Sequence, residues 1–157
     1  MKRIWLSVGL WIGLAGCGAD TPELTLQTPD RMQFDAEVYP VLLRDCGFDA
    51  CHASAGRFFQ VFGPGRARLV PMTSAIDPAT PLEYGHAYDR ARSMIDASDP
   101  ERSLLLRKPL ATMAGGTGHE GVDELGRNVY QSKVESGYLV LQRWVLGQPA
   151  ATPPPQP

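Results

Sequence analysis

Two cysteines and a histidine stand close together in the run Cys46-Gly47-Phe48-Asp49-Ala50-Cys51-His52. Any fold this chain adopts has to close a small loop there and find a use for three reactive side chains. Three chemistries do so. The thiols can join as a disulfide with the histidine as a bystander. They can supply part of a zinc site, with His52 and one further ligand such as His119. Or they can add to the vinyl groups of a haem whose iron His52 binds. The commoner haem-attachment run has two residues between the cysteines; here there are four, and the Cys-His ending is kept.

The amino terminus sets the compartment. Lys2-Arg3 is followed by an apolar run over residues 4–14, interrupted by Ser7, Gly9 and Gly13. That run is too short to span a bilayer and suits the core of a signal peptide. It ends in Leu14-Ala15-Gly16-Cys17, which resembles a bacterial lipobox. The resemblance implies a lipoprotein signal peptide over residues 1–16, lipidation of Cys17 and a membrane anchor. The protein is then expected in the cell envelope, periplasm-facing or on the outer membrane; a soluble secreted protein cut near Ala15 is the alternative. Of the three cysteines, lipid takes one and leaves Cys46 and Cys51. An exported compartment is oxidising, so it permits a disulfide, and haem attachment takes place there too. Fifteen basic residues against 17 acidic ones give a formal net charge of −2. No basic stripe with interleaved aromatics is present, which argues against a nucleic-acid partner.

Composition divides the remainder into a tether over residues 17–32, one folded module over 33–148 and a Pro-rich tail over 149–157. Phe34, Val38, Val41 and Leu42 recur at helical spacing, with Pro40 placed to kink that helix or to begin its regular part. Residues 57–62 read as a short strand ended by Gly63-Pro64-Gly65. Pro64, Pro71, Pro78 and Pro81 mark a long loop. Tyr84, Ala87, Tyr88, Ala91, Met94 and Ile95 form a second helical face, over residues 82–96. Asp99-Pro100 reads as N-cap and first helical residue of a short helix through Leu106. Ser132 and Glu135 fit a capping box opening the last helix. Tyr138, Leu141, Trp144 and Val145 share its face, and Gly147 is placed at its C-terminal cap. The expected fold class is mainly α, a small helical domain with long loops.

Read together, these segments resemble a c-type cytochrome domain, in a lipoprotein-like branch, across nearly the whole module. The opening Phe34…Val38-Tyr39-Pro40-Val41-Leu42-Leu43…Cys46…Cys51-His52 looks like the entry helix and haem motif. Asp99-Pro100-Glu101-Arg102-Ser103-Leu104-Leu105-Leu106-Arg107-Lys108-Pro109 looks like the segment before the distal loop. Gly115-Gly116-Thr117-Gly118-His119-Glu120-Gly121 and Trp144-Val145-Leu146-Gly147 look like the glycine-rich histidine loop and the closing helix. The resemblance implies a cytochrome c-like fold around one covalent haem c. It implies that the first and last helices cross, bringing Phe34 and Val38 to the Leu141/Trp144 face. Cys46 and Cys51 become thioether anchors and His52 the proximal iron ligand. His119 becomes the sixth ligand, with Met113 its rival; thioether ligation would raise the reduction potential.

Other residues attract plainer readings. His86 reads as a surface or packing histidine, and Met72 and Met94 as core. Gly116, Gly118 and Gly121 fit a dinucleotide-binding spacing, but that motif needs a strand before it and a helix opening at the third glycine, and neither pattern is present. No Ser-His-Asp or paired-carboxylate constellation stands out. The expected function is single-electron transfer outside the cytoplasm with a redox partner protein, by an electron carrier rather than an enzyme. A non-redox envelope lipoprotein with a Cys46–Cys51 disulfide is the alternative, and a peroxidase-type enzyme would require an open iron position.

Overall fold

The computed structural model describes residues 28–54, 56–119 and 129–150. Among them are four helices and no strand, the small, mainly α-helical domain expected. The leader, Cys17, residues 18–27 of the tether, Glu120 and Gly121 of the glycine-rich stretch, and the tail from residue 151 lie outside the described residues.

Helix α1 runs through three consecutive segments, Arg31–Gln33, the π-helical Phe34–Val38 and Tyr39–Asp45. Its start is fixed by the Asp30 carboxylate, which accepts from the Gln33 N–H at 2.6 Å. The π segment has a physical reason in Pro40, whose ring would collide with the Ala36 carbonyl in a regular α-helix. Widening the preceding turn relieves this, and the Tyr39 N–H reaches back to the Phe34 carbonyl instead. Regular helix then resumes with Pro40 in its first turn. Phe34, Val38, Val41 and Leu42 are all buried, as their spacing predicts.

Helices α2 (Pro81–Arg92), α3 (Leu104–Arg107) and α4 (Ser136–Val145) pack on this rod. Phe34 of α1 meets Trp144 of α4 with ring centroids 5.1 Å apart and Tyr88 of α2 edge-on at 5.3 Å. The Trp144 indole N–H donates to the Asp30 carbonyl at 2.8 Å, and the Tyr88 hydroxyl donates to that of Pro29, also at 2.8 Å. Residues 29–32, assigned to the tether by composition, are therefore tied into the fold. Helix α4 closes at Gly147, whose φ of +64° lets its N–H bond the Trp144 carbonyl while Gln148 bonds that of Arg143.

Four local expectations shift. Residues 57–62 form no strand: the Val61 N–H bonds the His52 carbonyl and no neighbouring strand pairs with the segment. Helix α2 stops at Arg92, and Met94 and Ile95 continue in a turn bonded to the Ala91 and Arg92 carbonyls. Asp99 makes no side-chain cap; Pro100–Arg102 is a 3₁₀ turn and α3 begins only at Leu104. Buried Ser103 causes the break, donating to the Pro100 carbonyl and accepting from the Asp96 N–H, which holds its own backbone extended. The Glu135 carboxylate does accept from the Ser132 N–H, but it also takes that of Gln131 and so folds a turn ahead of α4, which starts at Ser136.

The proline-marked loop is ordered from within by a buried ion pair. Arg68 donates twice to Glu83 at 2.8 Å and also reaches the Ser74, Asp77 and Pro78 carbonyls. Glu83 completes a capping box with Thr80 at the start of α2. Burial alone would raise its carboxyl, but the hydrogen bonds from Arg68 and from the Thr80 and Leu69 N–H groups prevail and hold it at about 2.

Candidate functional site

Cys46 caps α1, its N–H bonding the Leu42 carbonyl at 2.9 Å. The chain then turns tightly. Cys51 and Ala53 donate to the Phe48 carbonyl, and the His52 N–H returns to that of Cys46 at 3.1 Å. Four intervening residues are thus absorbed as an internally bonded loop that returns His52 to the Cys46 backbone. The thiols are unbridged, Cys46 buried and Cys51 half-buried. Burial first, then the Asp45 charge, pushes the Cys46 thiol up to about 12, so it is held protonated.

The His52 ring is anchored by two interactions with Phe59. Its Nδ1 lies 2.8 Å from the Phe59 carbonyl oxygen, and the Phe59 ring packs edge-on at 4.9 Å. With a carbonyl as partner, Nδ1 is the nitrogen that carries hydrogen, leaving the Nε2 lone pair available. Burial lowers the His52 pKa, against the opposing carbonyl bond, which favours this neutral form.

His119 arrives from the other side. After α3, Leu110 and Tyr130 form an isolated parallel bridge and Thr112–Ala114 a 3₁₀ turn. Gly116 then passes so close to the Leu110 carbonyl that a Cβ would overlap it, and Gly118 takes φ +77°. The Thr117 N–H fastens the returning strand of loop to the Arg107 carbonyl at 3.1 Å. The outcome is an imidazole pair, with His52 and His119 centroids 5.8 Å apart and planes inclined at 59°.

Cys46, Cys51, His52 and His119 all line one cavity of about 670 Å³. That volume falls within the roughly 300–1,000 Å³ of pockets for drug- and cofactor-sized ligands. Its walls are largely apolar, with Leu42, Phe59, Leu105 and Leu141 among them, and Arg57 and Lys108 contribute charge. Met94 lines it as well, so it does more than fill core. The Tyr130 hydroxyl donates to Asp45 Oδ2 at 2.8 Å along the same wall. Burial first, with the neighbouring Cys46 and Asp45 charges, drives the Tyr130 pKa upward. Nothing in the sequence links Tyr130 to Asp45; the Leu110 bridge and the close approach of Gly137 to both side chains accompany their meeting.

Comparison with protein-family models, curated proteins and solved structures returned no match. The remaining sequence candidates separate by position. Met113 is fully exposed and Met72 likewise, and neither lines the cavity. His86 sits on α2 against Phe62, centroids 5.5 Å apart, as a packing histidine. Among the described residues no group of three or more His, Cys, Asp or Glu side chains is disposed to hold a metal ion, so a multi-ligand zinc cage is not assembled. No helix among them is long and apolar enough to cross a membrane.

Proposed function

We propose that this chain is a monohaem c-type cytochrome domain, anchored through lipid at Cys17 in the cell envelope and passing single electrons to a partner protein. The observation that carries the reading is the convergence of both thiols, the oriented His52 and His119 on one largely apolar cavity. Two protein ligands suffice for haem iron, whereas structural zinc needs four. The crossing of α1 and α4 through Phe34 and Trp144 agrees with the cytochrome c-like arrangement that the motifs imply.

Each residue has a defined task in this reading. Cys46 and Cys51 would hold the haem covalently, as thioethers to its two vinyl groups. His52 would offer Nε2 to the iron, its ring held by the Phe59 carbonyl. His119 would supply the second iron ligand. The apolar walls exclude water, and Arg57 and Lys108 balance the carboxylates of the porphyrin. The bound group supplies a one-electron iron couple.

Expression together with haem-maturation machinery tests the proposal. It predicts a pink protein with a pyridine-haemochrome spectrum, a mass increase of one haem and no free thiol at Cys46 or Cys51. A colourless product with these two cysteines bridged would replace it with the non-redox lipoprotein reading.

A further inference from the structure

A second cavity, of about 290 Å³, is bounded by Arg102, Arg107, Lys133, Glu101, Leu110 and Tyr138. Two features set it apart from an ordinary surface hollow. Tyr138 is only 1 % exposed, yet its hydroxyl has no hydrogen-bond partner among the described residues and is not sealed from solvent. The hydroxyl is therefore open to the cavity that its ring lines. The second feature is charge. Arg102, Arg107 and Lys133 converge without an ion-pair partner among the described residues. Glu101 is the one carboxylate on the wall among the described residues, and the Gln142 amide faces it at 3.5 Å.

Three cations around one hollow repel each other, and the Tyr138 O–H is a donor open to the same space. An oxyanion relieves this repulsion and can accept from the hydroxyl, since guanidinium groups and an O–H donor match its oxygens. We propose that this cavity binds a phosphate-type oxyanion, with Arg102, Arg107 and Lys133 supplying the charge and the Tyr138 hydroxyl a hydrogen bond. At roughly 30 Å³ per water, the space holds a phosphate group with several waters. Free inorganic phosphate and the phosphate of a phospholipid headgroup share this chemistry. The site is independent of the haem reading.

The test uses the full chain at low ionic strength, where charge attraction is least screened. Inorganic phosphate is titrated by calorimetry, and a short-chain phosphatidic acid below its micelle concentration is titrated in parallel. Saturable binding of phosphate is expected, weakened about tenfold by Arg107→Gln and about threefold by Tyr138→Phe, the scale of a charged and a neutral hydrogen bond. Thermal melts confirm that both variants remain folded. Equal binding of the lipid assigns the site to headgroups as well as free phosphate; binding of phosphate alone assigns it to the free anion. Absence of binding by both ligands, or binding indifferent to both substitutions, overturns the proposal.

Discussion

The imidazoles of His52 and His119 meet on the wall of the large cavity with centroids 5.8 Å apart, though one sits in the turn that follows α1 and the other in a glycine-rich loop beyond α3. His52 is oriented by the Phe59 carbonyl; His119 depends on the close pass of Gly116. With haem bound, His119→Ala should therefore convert a low-spin absorption spectrum to high-spin and open the iron to cyanide. Met113→Ala should change neither, because that side chain is fully exposed. An unchanged spectrum in His119→Ala would remove His119 from the iron.

The Tyr130 hydroxyl and Asp45 form a bond in the cavity wall between residues 85 positions apart in the chain. Tyr130→Phe keeps the ring and its packing but takes a donor from a carboxylate that is only 15 % exposed. The expected loss is about 1–3 kcal/mol of unfolding free energy, measured by urea titration. Haem incorporation should persist, since neither residue is assigned to the iron or the thioethers. A loss below the error of the titration would show that water replaces the tyrosine.

Much of this architecture is legible in the sequence because it rests on short-range patterns. Phe34, Val38, Val41 and Leu42 lie on one face at helical spacing, and Gly147 marks where α4 must end. The errors arise where a tertiary bond overrides a local signal. Asp99-Pro100 is a strong helix start, but the buried hydroxyl of Ser103 restarts the helix at Leu104. Ser132 and Glu135 spell a capping box, but the carboxylate is spent on the turn before the helix. In the candidate site, Cys46, Cys51, His52 and His119 are visible as chemistry-bearing residues in recognisable order. Asp45, Tyr130 and Met94 are not, because their place on the wall depends on packing between distant segments.

Acid should loosen the loop between the first two helices. The Glu83 carboxyl falls from an ordinary 4.5 to about 2 in the folded protein. A depressed folded value means stability that is fully present above about pH 4.5 and is lost as pH falls toward 2. One such group contributes on the order of 2–3 kcal/mol. Glu83→Gln should lower stability at neutral pH and flatten the acid limb over that window. Urea midpoints measured from pH 6 to pH 2 check this; parallel curves for the two proteins would contradict it.

Trp144 joins three parts of the fold at once. Its ring packs against Phe34 and Tyr88, its indole N–H holds the Asp30 carbonyl, and it is fully buried. Trp144→Ala removes a large core volume together with that bond, and such truncations cost about 3–5 kcal/mol. Small domains have only about 5–15 kcal/mol in total, so the variant should lie near the edge of folding. Trp144→Phe keeps most of the ring contact and leaves the Asp30 carbonyl without the indole donor; about 1–2 kcal/mol is expected for the lost hydrogen bond and volume together. Leu82, exposed on α2, provides the contrast, and Leu82→Ala should stay within about 0.5 kcal/mol of the parent. Chemical denaturation of the three variants decides the matter: comparable losses for Trp144→Ala and Leu82→Ala would mean that α4 is not held to α1 through this indole.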